Sequence, residues 1–277
     1  MSAILPDWLT VKRGDAPLIV SFPHTGTSIP DDIRPGLKSD WWVRRDADWW
    51  IDQLYAFAGE LGATTVHTAI TRTAIDVNRD PSGVSLYPGQ ATTELCPTTT
   101  FDGDPLYEPG RAPDAAEIAR RRAAYFDPFH AALAGEIARL KAIHPKIVLY
   151  DCHSIRSVIP RLFEGELPNF NIGTNSGASC APGLESMVAA RCAAAPGFSH
   201  VLNGRFKGGY ITRRYGDPAG GVHAVQMELG CRGYMREPMP DVDETTWPTP
   251  FDPAYAAPIH SVLKDILTDC LSFARAS

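Results

Sequence analysis

Apolar residues gather in short runs separated by longer stretches of mixed polarity. Four runs, Leu18 to Phe22, Thr64 to Ile70, Ile147 to Tyr150 and Val222 to Leu229, read as strands buried in a sheet, the last of them interrupted by polar residues. Between the first two, Trp49 to Leu61 spaces Trp50, Leu54, Phe57 and Leu61 three or four residues apart, on one helical face, with Gly62 as a C-cap. Ala115 to Ile143 predicts a long helix that Pro128 should break or kink and that His144-Pro145 ends. Leu184 to Ala195 and Ala256 to Ala276 complete the predicted helices. Strands alternating with helices imply a layered α/β fold around a largely parallel sheet, and the short, glycine-separated segments after Asn169 leave room for a mixed one. Pro and Gly are dense from Asp80 to Pro113, which marks a long surface excursion of the kind that often covers a site. Without an internal repeat, a low-complexity tract or a clear linker, residues 1–277 read as a single domain.

Composition narrows the function classes. Hydrophobic residues make up 44% of the chain and charged residues 21%, which excludes whole-chain disorder. The net charge of -6, with no basic block, argues against a nucleic-acid partner. No apolar run approaches bilayer length and the N-terminal stretch lacks a cationic segment followed by an apolar one, so the expected location is cytoplasmic and away from membranes. Six scattered cysteines without CxxC spacing read as reduced thiols.

The chemistry concentrates at strand ends. His24 follows the first strand and His153 ends the third, in Ile147-Val-Leu-Tyr-Asp151-Cys-His153, so two parallel strands can aim two imidazoles at one point. Two His and one carboxylate form a common catalytic zinc set that leaves a position open for water, and Asp151 could orient an imidazole from behind. The carboxylate is sought in Arg45-Asp46-Ala47-Asp48-Trp49, where one acid can also cap the helix that follows; spacing does not choose between Asp46 and Asp48. After the second strand, Arg72, Asp76, Asn78 and Arg79 suit an acidic substrate, because guanidiniums bind carboxylates bidentately. Gly208-Gly209-Tyr210-Ile-Thr-Arg213-Arg214-Tyr215-Gly216 reads as a flexible loop that could grip an anion. Glu228 is a carboxylate inside an apolar strand, where desolvation should raise its pKa toward that of a general base.

These segments resemble the N-formylglutamate amidohydrolases, the deformylases of histidine degradation. The resemblance runs from about Pro17 to Glu237 and rests on Phe22-Pro-His24-Thr-Gly, Asp46-Ala-Asp48-Trp, Arg72 to Arg79, Asp151-Cys-His153-Ser, Lys207-Gly-Gly-Tyr-Ile-Thr-Arg213 and Gln226-Met-Glu228-Leu. It implies a three-layer α/β/α sandwich with a mixed, largely parallel sheet, similar to the zinc carboxypeptidases. It also implies one divalent metal, Zn2+ with Co2+ or Mn2+ as alternatives, held by His24, Asp46 and His153, with Asp48 in reserve. Glu228 would be the general base, Arg72 the oxyanion stabiliser, and Asn78, Arg79 and Arg213 the substrate-binding residues. The zinc carboxypeptidases place a glutamate three residues after the first histidine; here that position is Thr27, so the carboxylate comes from farther along. The implied reaction splits N-formyl-L-glutamate into formate and L-glutamate. Competing expectations are a deacylase or carboxypeptidase on another N-acyl acidic amino acid, a non-catalytic binder of acidic metabolites, and a cysteine hydrolase using Cys152 or Cys231.

Overall fold

Four parallel strands form the centre of a seven-stranded sheet: β2 (Leu18–Phe22), β3 (Thr64–Thr68), β4 (Ile147–Ile155) and β7 (Val222–Gly230). They coincide with the four apolar runs of the sequence. The computed structural model describes residues 5–238 and 241–276. At one edge β1 (Leu9–Lys12) lies antiparallel to β3; at the other β5 (Phe170–Gly173) runs antiparallel to β7 and carries β6 (His200–Leu202) in parallel. The order is β1-β3-β2-β4-β7-β5-β6, so the sheet is mixed with a parallel core.

Alternation along the central strands fills two cores. Val20, Tyr150 and Met227 face α2 (Ile51–Leu54), α5 (Pro182–Ala193) and α7 (Pro253–Arg275). Their neighbours Ile19, Leu149 and Ala224 face α4 (Asp127–Lys141) and α6 (Tyr210–Tyr215) on the opposite side. Helices therefore cover both faces of the sheet, the three-layer arrangement expected. Since side chains alternate between faces, Asp151 and His153 of β4, and Gln226 and Glu228 of β7, continue the series that faces α4 and α6.

Local structure departs from expectation in three places. The segment 49–61 is not one helix: Trp50 takes a left-handed φ of 63°, α2 lasts four residues, and a short 3-10 turn, Ala56–Gly59, follows. Leu54 and Phe57 still bury as the spacing predicts, and Gly62 has the positive φ of a helix-ending glycine. The long helix near 115–143 survives its proline. A wider π turn, Arg122–Phe126, joins α3 (Ala115–Arg121) to α4, and Pro128 falls in the first turn beyond it, where the hydrogen-bond ladder is already interrupted. Lastly, the loop expected at 208–216 is helical from Tyr210 onward, as α6. Between β3 and α3 the chain forms no strand or helix, and the excursion predicted at 80–113 lies within that stretch. Among the described residues, no helix is long and apolar enough to cross a membrane.

Candidate active site

The two histidines meet because their strands are parallel neighbours. β2 pairs with β4, placing His24, two residues past the end of β2, beside His153, near the end of β4. Their rings stand 4.8 Å apart between centroids. The third member comes from the connection between α1 (Asp40–Arg45) and α2. There Asp48 N–H donates to the His24 carbonyl (3.0 Å), and the left-handed turn at Trp50 follows at once.

The three side chains close a triangle. His153 Nδ1 lies 3.1 Å from His24 Nδ1 and 3.0 Å from Asp48 Oδ2, and His24 Nδ1 lies 3.6 Å from the same oxygen. Donors about 2.0–2.1 Å from a tetrahedral zinc stand about 3.3 Å from one another, so the triangle has the size of three corners of such a site. The outer nitrogens are also committed. His24 Nε2 is 2.6 Å from Asp76 Oδ1, and His153 Nε2 is 2.9 Å from Asp151 Oδ2. When both imidazoles are neutral with the proton on Nε2, donated to a carboxylate, both Nδ1 lone pairs and the Asp48 oxygen converge as acceptors without a donor. A cation resolves that convergence, and carboxylates behind histidine ligands are the usual support for one. His24, Asp48 and His153 are buried and can hold a metal ion.

Asp46, the carboxylate that the resemblance implied as third ligand, is turned elsewhere, and Asp48 stands with the two histidines in its place. Asp46 occupies the C-cap of α1, accepts from Phe101 N–H (2.6 Å), and faces Arg45 (3.9 Å) and Arg156 (3.7 Å). Since α1 ends before Asp46 and Trp50 stands at the N-cap of α2, neither Asp46 nor Asp48 caps a helix start.

Charge balance makes the cluster tight. Burial would push Asp48 up, but His24 and His153 overcome it and hold this carboxyl well below the usual range. Asp76, likewise opposed by burial, is held down by His24, Arg72 and Arg79. Burial would lower His153, yet Asp151 and Asp48 raise it well above an ordinary imidazole. Glu228 stands opposite His153 in the β4–β7 register, and burial raises it to about 7, against the pull of His153 and Arg72. Substituting Asn for Asp76 or Asp151 should weaken metal affinity about 10–100-fold while the ligand atoms remain, read by competition with a chromogenic chelator.

Beside this cluster lies a cavity of about 50 Å³. His24, His153, Glu228, Arg72, Asn78 and Arg79 all line it, so these sequence-predicted residues come together. Asn78 is already engaged: its Oδ1 accepts from Ile211 N–H (2.8 Å) and its Nδ2 donates to Asp151 Oδ2 (3.3 Å), tying α6 to β4. Arg213 does not line the cavity. Once Tyr210 starts a helix, Arg213 lies a turn along it, where Nε donates to the Gly208 carbonyl (2.9 Å) and the guanidinium covers the Tyr87 ring. Arg205, Tyr87 and Gln226, none assigned a role from sequence, do line the cavity. Gln226 and Asp76 sit inside quoted motifs, a signal that pointed to them without naming their tasks. Cys152 and Cys231 are buried, with thiols pushed well above the ordinary range by that burial, the reverse of a poised nucleophile.

Comparison with known proteins gives a consistent result. Residues 16–235 match the family model described as N-formylglutamate amidohydrolase. The chain is 46% identical over 272 residues to the N-formylglutamate deformylase of Pseudomonas aeruginosa, covering 96% of this chain and 97% of that protein. It is 45% identical over 265 residues to the protein of the same name from Pseudomonas putida, with 96% of each covered. Among solved structures, the N-formylglutamate amidohydrolase of Ralstonia eutropha superposes with a TM-score of 0.73 at 24% identity, covering 96% of this chain and 98% of the other. A gene product of Agrobacterium tumefaciens reaches 0.71 at 20% identity, with coverages of 98% and 97%. These two likenesses show the fold.

Proposed function

This chain belongs to the N-formylglutamate amidohydrolase family, and on that premise we propose that it hydrolyses N-formyl-L-glutamate to formate and L-glutamate, a step of histidine degradation, in the cytoplasm. The observation that carries the reading is the triangle of His24, Asp48 and His153, its outer nitrogens held by carboxylates, set beside a buried Glu228 and a cation-lined cavity. His24, Asp48 and His153 would hold one divalent ion, Zn2+ before Co2+ or Mn2+, since two imidazoles and a carboxylate suit zinc. When bound, the ion supplies Lewis-acid polarisation of the formyl carbonyl and lowers the pKa of water.

The chain's own residues do the rest. Glu228 takes a proton from the attacking water and returns it to the departing amine; a carboxyl raised to about 7 exchanges protons readily near neutral pH. Arg72, fixed by Asp76 (2.8 Å) and Asp48 (3.5 Å), faces the same cavity with charge for a developing oxyanion. Arg79 offers its guanidinium to a substrate carboxylate, with Nε and Nη2 steadied by Thr93.

Another acyl group is the competing possibility. Formyl-, acetyl- and succinyl-glutamate and formylaspartate, assayed side by side, should leave formylglutamate at least about tenfold ahead in kcat/KM. Chelation should abolish turnover and added Zn2+ restore it, with bound metal measured by elemental analysis. A better rate on acetyl or succinyl substrate, or full activity in metal-free protein, would overturn the reading.

A further inference from the structure

Three guanidiniums line the cavity, and two already face acids. Arg72 meets Asp76 and Asp48, and Arg79 lies 3.8 Å from Asp76. Arg205 is different. It is half-buried, its Nε donates to the Leu162 carbonyl (2.9 Å), and Nη2 donates to the Ala91 carbonyl (2.8 Å). Its guanidinium covers Phe206 at 5.2 Å and Tyr87 at 5.4 Å. Among the described residues no carboxylate pairs with it. Two of the five guanidinium protons are used, so three can still be donated.

A partly desolvated cation with no carboxylate in direct contact is costly. Burial lowers the pKa of Arg205 and the charge of Arg79 adds to that effect, against the opposing pull of Tyr87 and, at longer range, Glu228. Packing nevertheless holds the group in place: Tyr87, on which it stacks, donates its hydroxyl to the Gly208 carbonyl (2.9 Å) and accepts from Lys207 N–H (3.1 Å). A cation fixed at a cavity wall in this condition is complemented by an anion that enters and leaves.

We propose that Arg205 binds the side-chain carboxylate of the substrate and thereby sets the preference for an acidic amino acid, a specificity role that rests on the deformylase reading above. The assignment to that carboxylate follows from position. Arg79 reaches Asp76, the residue holding His24, whereas Arg205 contacts Leu162, Ala91, Phe206 and Tyr87 and has no hydrogen bond or ion pair to the metal-site residues. In the substrate, the α-carboxylate shares a carbon with the formamide nitrogen, and the side-chain carboxylate lies two methylenes farther out. The inner cation therefore matches the first and Arg205 the second.

The test is the ratio of kcat/KM for N-formylglutamate over N-formylglutamine, which differ in one charge. In Arg205→Met this ratio should fall by about 100-fold, the scale of a charged hydrogen-bonded contact, and in Arg205→Lys by about tenfold, with metal content and thermal unfolding checked for both. Should Arg205→Met fail to fold, Arg205→Lys carries the test alone. A ratio unchanged within threefold in the folded variants, or one that falls in Arg213→Met instead, overturns the assignment. A wild-type enzyme with no preference between the two substrates overturns the deformylase reading itself, a separate result.

Discussion

Asp48→Asn should leave the protein folded but without its metal, and with kcat/KM reduced on the order of 10³-fold or more. The ion's Lewis-acid contribution of several kcal/mol disappears, at about 1.4 kcal/mol per factor of ten. The expected contrast is with Asp46→Asn. Asp46 turns Oδ2 to Phe101 N–H and Oδ1 toward Arg45 and Arg156, away from the histidines, so that variant should keep close to one metal per chain. Elemental analysis of both proteins, purified in parallel, decides the matter. Metal lost from Asp46→Asn and kept in Asp48→Asn would reverse the ligand assignment.

Glu228→Gln should show the opposite pairing of effects, a large loss of rate with a gain in stability. Removing a general acid–base group typically costs 10²–10⁴ in rate, and the amide retains the shape needed to bind substrate, so the loss should fall on kcat more than on KM. The stability sign follows from burial. The folded carboxyl titrates near 7 and an unfolded one near 4.5, so between those values the unfolded chain has released its proton while the folded chain keeps it. Stability therefore falls as pH rises through this window and stays reduced above it. In metal-free protein at pH 8, Glu228→Gln should unfold later than the parent by about 1–3 kcal/mol, a gain that vanishes near pH 4.5. Urea melts at the two pH values read this directly. Equal stabilities at pH 8 would mean that the ionised carboxylate is not strained by its setting.

The parallel core of the sheet was legible because its strands are apolar on both faces, and both histidines were legible because each stands near the end of such a strand. The edges were not. β1, β5 and β6 are three or four residues long, and His200 and Leu202 of β6 are exposed, so no hydrophobic pattern announces them. The choice between Asp46 and Asp48 was hidden for another reason. They lie two residues apart, and what separates them is the end of α1, the hydrogen bond from Asp48 N–H to the His24 carbonyl and the left-handed Trp50. A non-glycine residue at positive φ is seldom signalled by its own type. Asp76 could be recognised as the partner of His24 only once the fold brought residues 52 positions apart within 2.6 Å. Arg205 follows an edge strand that was itself unseen. Arg213 drew attention through the glycines before it, which proved to introduce a helix rather than a mobile loop.

The pairing of β4 with β7 sets His153 across from Glu228, and the same alternation sends Tyr150 and Cys152 into the opposite core. Chemistry and packing thus share one parity. Deleting a single residue from Ile147–Tyr150 would turn Asp151 and His153 into the apolar layer beneath α7 and present Cys152 and Ser154 where the carboxylate and the imidazole are needed, so both are lost together. Drift in the length of these two strands is therefore closed to the lineage as firmly as change in the ligands. The irregular stretch that runs from beyond Arg79 to α3, bound by no such parity, is where insertions and deletions can accumulate and new specificities arise.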